Sequence, residues 1–511
     1  MSAALNERGP AHREGRPWRP TADKVTAVKP VASEAQGVDQ HGASRAPGAR
    51  LLLVGVIAFT AAVVSWLVFN AVNGGLNEVD LTVYRDGGLI VRHVRPYYDP
   101  RAYAPLYDWG GYSSVALKFT YTPFAAITFA ADSFLPWAAT SIASVVVNVA
   151  ALVAALWFTF GGLGYTDRRV RLGATLLAAA ATFWLQPVIR TIYLGQVNLV
   201  LMAAIMWDLC QPDLTASGRR RWWKGAVTGV AAGIKLVPLI FVPYLLITRR
   251  FREAAATVAG FLVTVAIGFA VLPHDSSRWW LHGMFLADGN RTGFMGWAGN
   301  QSLRAIITRF AGSVAAGQDP WIVAAVIALV LGMTAAYLLN RAGYPVPALL
   351  ATALTGLLVS PVSWDHHWVW IALAVAVTAH YAIAAARAPG ARASAGGARR
   401  TARWLWVLVA GMVFFFAAWP DAIWENERTL GNLSLGFLWA QSNTNPVEFA
   451  QRGDQPGYVE YHWHGFQLLW GNTYILAGVG LLMIALAVGF RLRNRPRAAE
   501  AADQQPLAAT I

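Results

Sequence analysis

Charge is what this chain has least of. Asp, Glu, Lys and Arg make up 13% of its 511 residues, while 56% are hydrophobic. Mean hydropathy is +0.42, outside the range of water-soluble domains of this size, so most of the chain must be solvated by lipid. Cysteine is nearly missing. Cys210 alone excludes an internal disulfide and a thiolate metal set, and it lies in an apolar run where it reads as packing. No P-loop, HExxH or GxSxG signature occurs, which removes support from ATP-driven transport, zinc proteolysis and serine-hydrolase chemistry. Intramembrane charges are few, so no long proton-relay path is evident. The net charge of +14 raises nucleic acid as a partner, but the basic residues form short clusters between apolar runs. No continuous basic domain exists, and no nucleic-acid partner is expected.

What the chain does have is a succession of apolar runs. A hydrocarbon core of roughly 30 Å needs about 20 apolar residues in a helix. Runs that meet or approach this predict spans near 51–72, 136–161, 170–188, 194–211, 253–273, 321–340, 345–361, 364–386, 402–420 and 470–490. Residues 1–50 are rich in Pro, Gly, Ala, Arg and Glu and are expected to be a disordered cytoplasmic tail. The run from 51 to 72 is too long for a signal-peptide core and is expected to stay as the first span. Residues 51–490 then form the membrane domain, and 491–511 a second cytoplasmic tail.

Basic residues orient the spans. Arg168, Arg169 and Arg171, Arg219 to Arg221 with Lys224, Arg249, Arg250 and Arg252, Arg341, Arg387 to Arg403 and Arg491 to Arg497 are all expected on the cytoplasmic side. They fall on one side only if two stretches do not cross. Residues 118–134 are expected to be an outer-face juxtamembrane or re-entrant element. Residues 224–247, broken by Gly233, Lys235 and Pro238, are expected to be a hairpin with Lys235 near its outer apex, bordering a cavity. Both termini are then cytoplasmic and the loops 73–135, 189–193, 274–320, 362–365 and 421–468 external. The expected architecture is an all-α polytopic plasma-membrane protein with about 10–12 transmembrane helices. No fixed-period or inverted repeat is visible, which weighs against a secondary transporter.

Polar residues stand out where lipid should prevail. Asp80, in NEVDLTVYRDGG with Glu78 and Asp86, is hemmed by Val79 and Leu81, where partial desolvation raises a carboxylate's proton affinity toward that of a general base. The alternative is a helix-capping or loop carboxylate, with Arg85 paired to Asp80 or Asp86. In SPVSWDHHWVW, Asp365, His366 and His367 open a span among Trp364, Trp368 and Trp370. Adjacent imidazoles point about 100° apart on a helix, a poor metal pair. One of them serves either as a donor to an anionic headgroup or as an interfacial cap. Lys235 either meets a phosphate or snorkels to the interface. Arg190 breaks the basic-residue rule by lying outside, and Gln196 and Asn198 open the next span, so the three either line a polar pocket or cap helix ends. Asn300, Gln301 and Arg304 form a similar set, with His274 and Asp275 earlier in that loop.

Asp80 after the first span, FTYTPF at 119–124, YLGQVNLVL at 193–201, GIKLVPLIFVPYLL at 233–246, GNQSLR at 299–304 and SPVSWDHHW at 360–368 occur in order. Together they resemble the actinobacterial polyprenol-phosphate-mannose-dependent α-(1→2)-mannosyltransferases, over about residues 51–390. That resemblance implies a GT-C-like fold with its active site at the outer membrane–water interface, a polyprenyl-phosphate sugar donor and a glycolipid acceptor of the phosphatidylinositol mannoside or lipomannan type. It also implies an inverting single displacement with no essential metal or other cofactor. In such a reaction Asp80 fits the base that takes the acceptor's proton. Lys235, His366, His367 and Arg190 are the candidates for the departing phosphate. Arg85, Tyr121, Gln196, Asn198, Asn300, Gln301 and Trp364 are the candidates for sugar and acceptor, with the polyprenyl tail in lipid or in a groove near 118–134. The long polar N-terminus and the 421–468 loop depart from the family pattern. Three other readings compete: a polyprenyl-lipid flippase, a transferase of the same fold using a sugar such as arabinofuranose, and a non-catalytic membrane subunit.

Overall fold

The structure, a computed structural model, describes residues 45–72, 75–93, 106–107, 118–215, 217–286, 295–387, 395–418, 438 and 459–493. Its named elements are helices. They are α1 (Arg45–Val72), α2 (Val79–Val91), α3 (Pro123–Phe129), α4 (Trp137–Gly162), α5 (Arg168–Phe183), α6 (Gln186–Leu194), α7 (Asn198–Leu209), α8 (Ala226–Ile234), α9 (Phe241–Ile247), α10 (Phe251–Val271), α11 (Leu303–Ala311), α12 (Val314–Arg341), α13 (Pro345–Val359), α14 (Trp370–Arg387), α15 (Ala395–Phe416) and α16 (Thr473–Leu492). Among the described residues, six helical segments are long and apolar enough to cross a membrane: Gly48–Val72, Trp137–Gly162, Phe251–Val271, Val314–Arg341, Asp365–Arg387 and Thr473–Leu492. The chain is therefore an all-α, multi-pass membrane protein. Shorter helices α5, α13 and the bent pair α6–α7 fill the space between them.

Contacts sort the helix ends into two groups. At one end Gly48 lies against Val170 and Arg169, Gly161 against Arg171, Gly162 against Cys210 and Val346, and Gly489 against Leu338. Tyr165 meets His380 there, 3.1 Å apart. Arg168, Arg169, Arg171, Lys224, Arg250, Arg341 and Arg387 gather at that end. At the other end Ala418 N–H bonds Trp184 O, and Glu78 N–H bonds Tyr193 O at 2.9 Å. Asp80, Arg190, His366 and Tyr474 belong to this second group.

Residues 224–247 fold back on themselves. Asp208, fully buried, accepts the Gly225 and Thr228 N–H groups and the Thr228 hydroxyl, each at 2.8 Å, and so caps α8. α8 then runs alongside α10, with Gly225 beside Glu253, Gly229 beside Thr257 and Gly233 beside Thr264. A Cβ at Gly229 would stand 2.0 Å from the Thr257 carbonyl, so only glycine permits this approach. The helix breaks at Lys235. A 3-10 turn (Val237–Ile240) and α9 return to the start of α10, where Arg250 N–H meets Leu245 O at 2.8 Å. Thr122 closes the apex by bonding the Gly233 carbonyl.

Several boundaries differ from expectation. α1 begins at Arg45, because Arg45–Arg50 continues the apolar helix rather than ending a tail. The rest of 1–50, the 494–511 stretch and most of 421–468 lie outside the described residues. The supposed loop 189–193 is inside α6, whose nine residues are all buried. The supposed straight span 194–211 is a 115° bend followed by a helix of only 12 residues, because Gly195 at φ 70° ends α6 and redirects the chain. α12 starts at Val314 rather than near 321, N-capped by Ser313, whose hydroxyl accepts Ala316 N–H. Residues 118–134 comprise an extended entry, α3 and a 3-10 turn (Ala130–Phe134), too short to cross.

Candidate active site

Asp80 occupies the first turn of α2. The residue before that turn, Glu78, is buried with a left-handed backbone (φ 49°), a conformation costing about 1–3 kcal/mol for a non-glycine residue. Its N–H bond to Tyr193 ties the start of α2 to the end of α6. Tyr84, one helical turn beyond Asp80, lies on the same face. Its hydroxyl donates to Gln196 Oε1 at 2.6 Å and stands 2.8 Å from the Tyr121 hydroxyl, which also reaches Gln196 Oε1 at 3.3 Å. With its oxygen held by two tyrosines, the Gln196 amide directs its N–H toward Asp80, to which it hydrogen-bonds. Burial pushes the Asp80 carboxyl above the usual aspartate range. His366, the Gln196 hydrogen bond, Lys235 and Arg190 pull it only part of the way back.

The apex of the hairpin meets the start of the α14 span. Lys235 Nζ donates to Asn198 Oδ1 at 2.9 Å and lies 2.8 Å from His367 Nε2, with the Tyr121 ring 5.8 Å away. Asn198 Nδ2 and the Thr191 hydroxyl both donate to the His366 carbonyl, at 3.0 and 2.9 Å. Trp364 N–H meets His367 Nδ1 at 3.2 Å. Asp365 is fully buried and takes Arg190 Nε at 3.0 Å, Gln186 Nε2 at 2.6 Å, and the backbone N–H and Nδ1 of His366 at 2.9 and 3.2 Å. The carboxylate therefore fixes the hydrogen of His366 on Nδ1. His366 Nε2 is left buried without a hydrogen-bond partner.

Asp80, Tyr121, Arg190, Gln196, Asn198, Lys235, His366 and His367 thus come together from α2, α6, α7, the hairpin and the 365–369 turn. Others do not join them. Arg85 turns away and donates to the Leu135 carbonyl at 3.3 Å, because five residues along a helix carry it off the Asp80 face. Asn300 and Gln301 are fully buried with their amides occupied by backbone: Asn300 bonds Met295 O and Ser363 N–H, and Gln301 bonds Ala298 O, Gly471 O and Tyr474 N–H. They hold the loop beneath Asp365 and have no group free for a sugar. Trp364 packs edge-on against Trp297 at 5.4 Å. A narrow cleft starts at Asn198, Lys235 and His367 and continues between Met202, Ile205, Phe241, Ala353, Leu357 and Trp370. It lies between α7, the hairpin and α13, whereas Phe119, Ala125, Ala126 and Phe129 near 118–134 are packed shut.

Sequence reasoning missed Tyr84, Gln186 and Tyr474. Tyr84 was recoverable from its spacing to Asp80, and Gln186 from its spacing to Arg190. Nothing in the sequence distinguishes Tyr474 from an interfacial aromatic.

Comparison with known proteins converges on the same region. Residues 119–361 match the profile of Glycosyltransferase family 87. A polyprenol-phosphate-mannose-dependent α-(1-2)-phosphatidylinositol pentamannoside mannosyltransferase of Mycobacterium tuberculosis is 32% identical over 415 residues, 81% of this chain and 89% of the relative. The corresponding phosphatidylinositol mannoside mannosyltransferase of M. tuberculosis is 33% identical over 59% of this chain and 70% of its own. A pentamannoside enzyme of Mycolicibacterium smegmatis is 32% identical over 74% and 84%. No solved structure matches significantly. Identity of 32% that covers 81% of this chain and 89% of the relative places the chain in the polyprenol-phosphate-mannose-dependent α-(1→2)-mannosyltransferase family of glycosyltransferases.

Proposed function

We propose that this protein moves mannose from a polyprenyl-phosphate donor to a hydroxyl of a cell-envelope glycolipid of the phosphatidylinositol mannoside or lipomannan type. The linkage is α-(1→2) and the reaction a single inverting displacement. The observation that carries this reading is one buried polar cluster in which a desolvated carboxylate, Asp80, feels the charges of Lys235 and Arg190, with Lys235 braced against His367. Asp80 removes the acceptor's hydroxyl proton as that oxygen bonds the anomeric carbon. The anomeric carbon–oxygen bond breaks, and its electron pair leaves on the lipid phosphate. Lys235 faces the growing negative charge, while Arg190, held by Asp365, adds its field from behind. Tyr121 offers its ring and hydroxyl to a sugar. The isoprene units nearest the phosphate enter the apolar cleft below Lys235.

The fold reads as GT-C-like, with both termini cytoplasmic. The positive-inside rule assigns the basic end to the cytoplasm and the Asp80 end to the outer face of the plasma membrane. Residues 45–493 carry the enzyme, and the polar segments before and after them are tails that transfer does not require.

The deciding experiment is purified protein in liposomes with polyprenyl-phosphate mannose and a phosphatidylinositol mannoside acceptor, the product followed by mass. The wild type is expected to transfer one hexose. Asp80→Asn should lower kcat by about 10³-fold, within the 10²–10⁴ typical of a lost general base. Transfer unaffected by Asp80→Asn would remove this residue from the mechanism, and lipid translocation without transfer would support a flippase instead.

A further inference from the structure

The last span reaches the site from outside the region that the family profile covers. Tyr474, at the start of α16, is fully buried. Its backbone N–H is held by Gln301 Oε1 at 3.2 Å, and its ring stacks on Phe416 at 4.1 Å with an interplanar angle of 19°. Its hydroxyl lies 2.7 Å from Gln186 Oε1, and Gln186 Nε2 lies 2.6 Å from Asp365 Oδ2.

These contacts allow one hydrogen-bond assignment. An ionised carboxylate only accepts, so Gln186 must present its N–H to Asp365. Its oxygen then faces Tyr474, and the phenol must donate. Without the phenol, the Gln186 oxygen loses its donor and the amide is held only through its N–H to Asp365. An amide fixed from one side can shift, and the buried carboxylate then loses a firmly placed donor.

We infer that Tyr474 is a positioning residue of the active site: through Gln186 it keeps Asp365 fully engaged, and so keeps the His366 ring and the Arg190 guanidinium, both held by Asp365, in place. The site is incomplete without α16. Anchoring of α16 itself is independent, since Asn472 receives Arg309 Nε at 3.0 Å and a second bond from Arg309 Nη2, while Arg309 Nη1 holds the carbonyls of Gly296, Trp297 and Asn300.

Tyr474→Phe keeps the ring stack and removes one hydroxyl. The kinetic arm of the test rests on the transferase reading, so it is paired with a readout that needs no substrate. In protein labelled with ¹⁵N-histidine, the resonances that vanish in His366→Asn should report Nδ1–H and a bare Nε2 in the wild type. Tyr474→Phe should shift and broaden these resonances as the ring loses its fixed placement. In transfer assays Tyr474→Phe should lower kcat about tenfold, the scale of one hydrogen bond lost from a buried charged group, with KM for the donor and the thermal midpoint unchanged. Gln186→Leu should lower kcat at least as far, and adding Tyr474→Phe to it should cost nothing more, because the phenol acts through that amide. His366 resonances unchanged in Tyr474→Phe overturn the inference whether or not the protein transfers mannose. So does an additive double variant, or a loss of rate that tracks a lower thermal midpoint. Absence of transfer by the wild type, with the resonance shift present, would instead count against the proposed function alone.

Discussion

Asp80 is placed by competing local forces. The N-terminus of α2 and the positive groups across the cavity favour its charge, yet burial dominates and raises its proton affinity. A base must be deprotonated to accept, so the rate falls as pH drops through this raised value. The acid limb of kcat/KM should therefore lie above about 3.9, the ordinary aspartate value, and titrate as one proton. A pH–rate profile in liposomes checks this; a limb at or below the ordinary value would mean that the carboxyl is solvated during turnover. Asp80, Lys235 and the histidine pair were legible as polar residues at positions where lipid should select against them. Their neighbours were not. Gln186 and Asn198 look like helix-end residues until the bend at Gly195 turns both toward the 365–367 turn, and Asn300 and Gln301 look like site residues until backbone partners claim their amides.

Among the elements, the re-entrant hairpin carries the most consequence. Its sequence signal was strong, since basic residues flank an apolar run too broken to cross. What holds it was not visible: Gly229 and Gly260 let α8 lie backbone to backbone on α10, with a Cβ at Gly260 falling 2.4 Å from the Ala226 carbonyl. Gly229→Val should force the two helices apart, at the 1–3 kcal/mol typical of overpacking. Because Lys235 rides on the end of α8, the expected outcome is a lower thermal midpoint in detergent together with a raised KM for the donor. A variant that melts earlier but binds the donor as before would show that the apex is held by Thr122 and Asn198 alone. The α6–α7 bend was the opposite case. The run from 194 to 211 reads as a straight span after an external loop at 189–193, whereas the positive φ of Gly195 ends one buried helix and starts another at 115° to it.

Across the whole molecule, the basic clusters share one end of the helical bundle and the candidate site faces the other. Charge bias alone orients that axis. In a Cys210→Ser background, a cysteine at exposed Asn77 should react with a membrane-impermeant maleimide added to intact cells, and one at Ser217 should react only after lysis. The reverse pattern would turn the enzyme over in the membrane and abolish the proposed outer-face reaction. Helix lengths then set the depth of the site. α8 has nine residues, so it rises only about 14 Å from the basic end to Lys235, roughly half of a ~30 Å hydrocarbon core. On the proposed orientation the ammonium group then lies well below the outer headgroups, so a lipid phosphate that meets it must descend from them, and its sugar needs a polar path at a level where the surrounding membrane is oil.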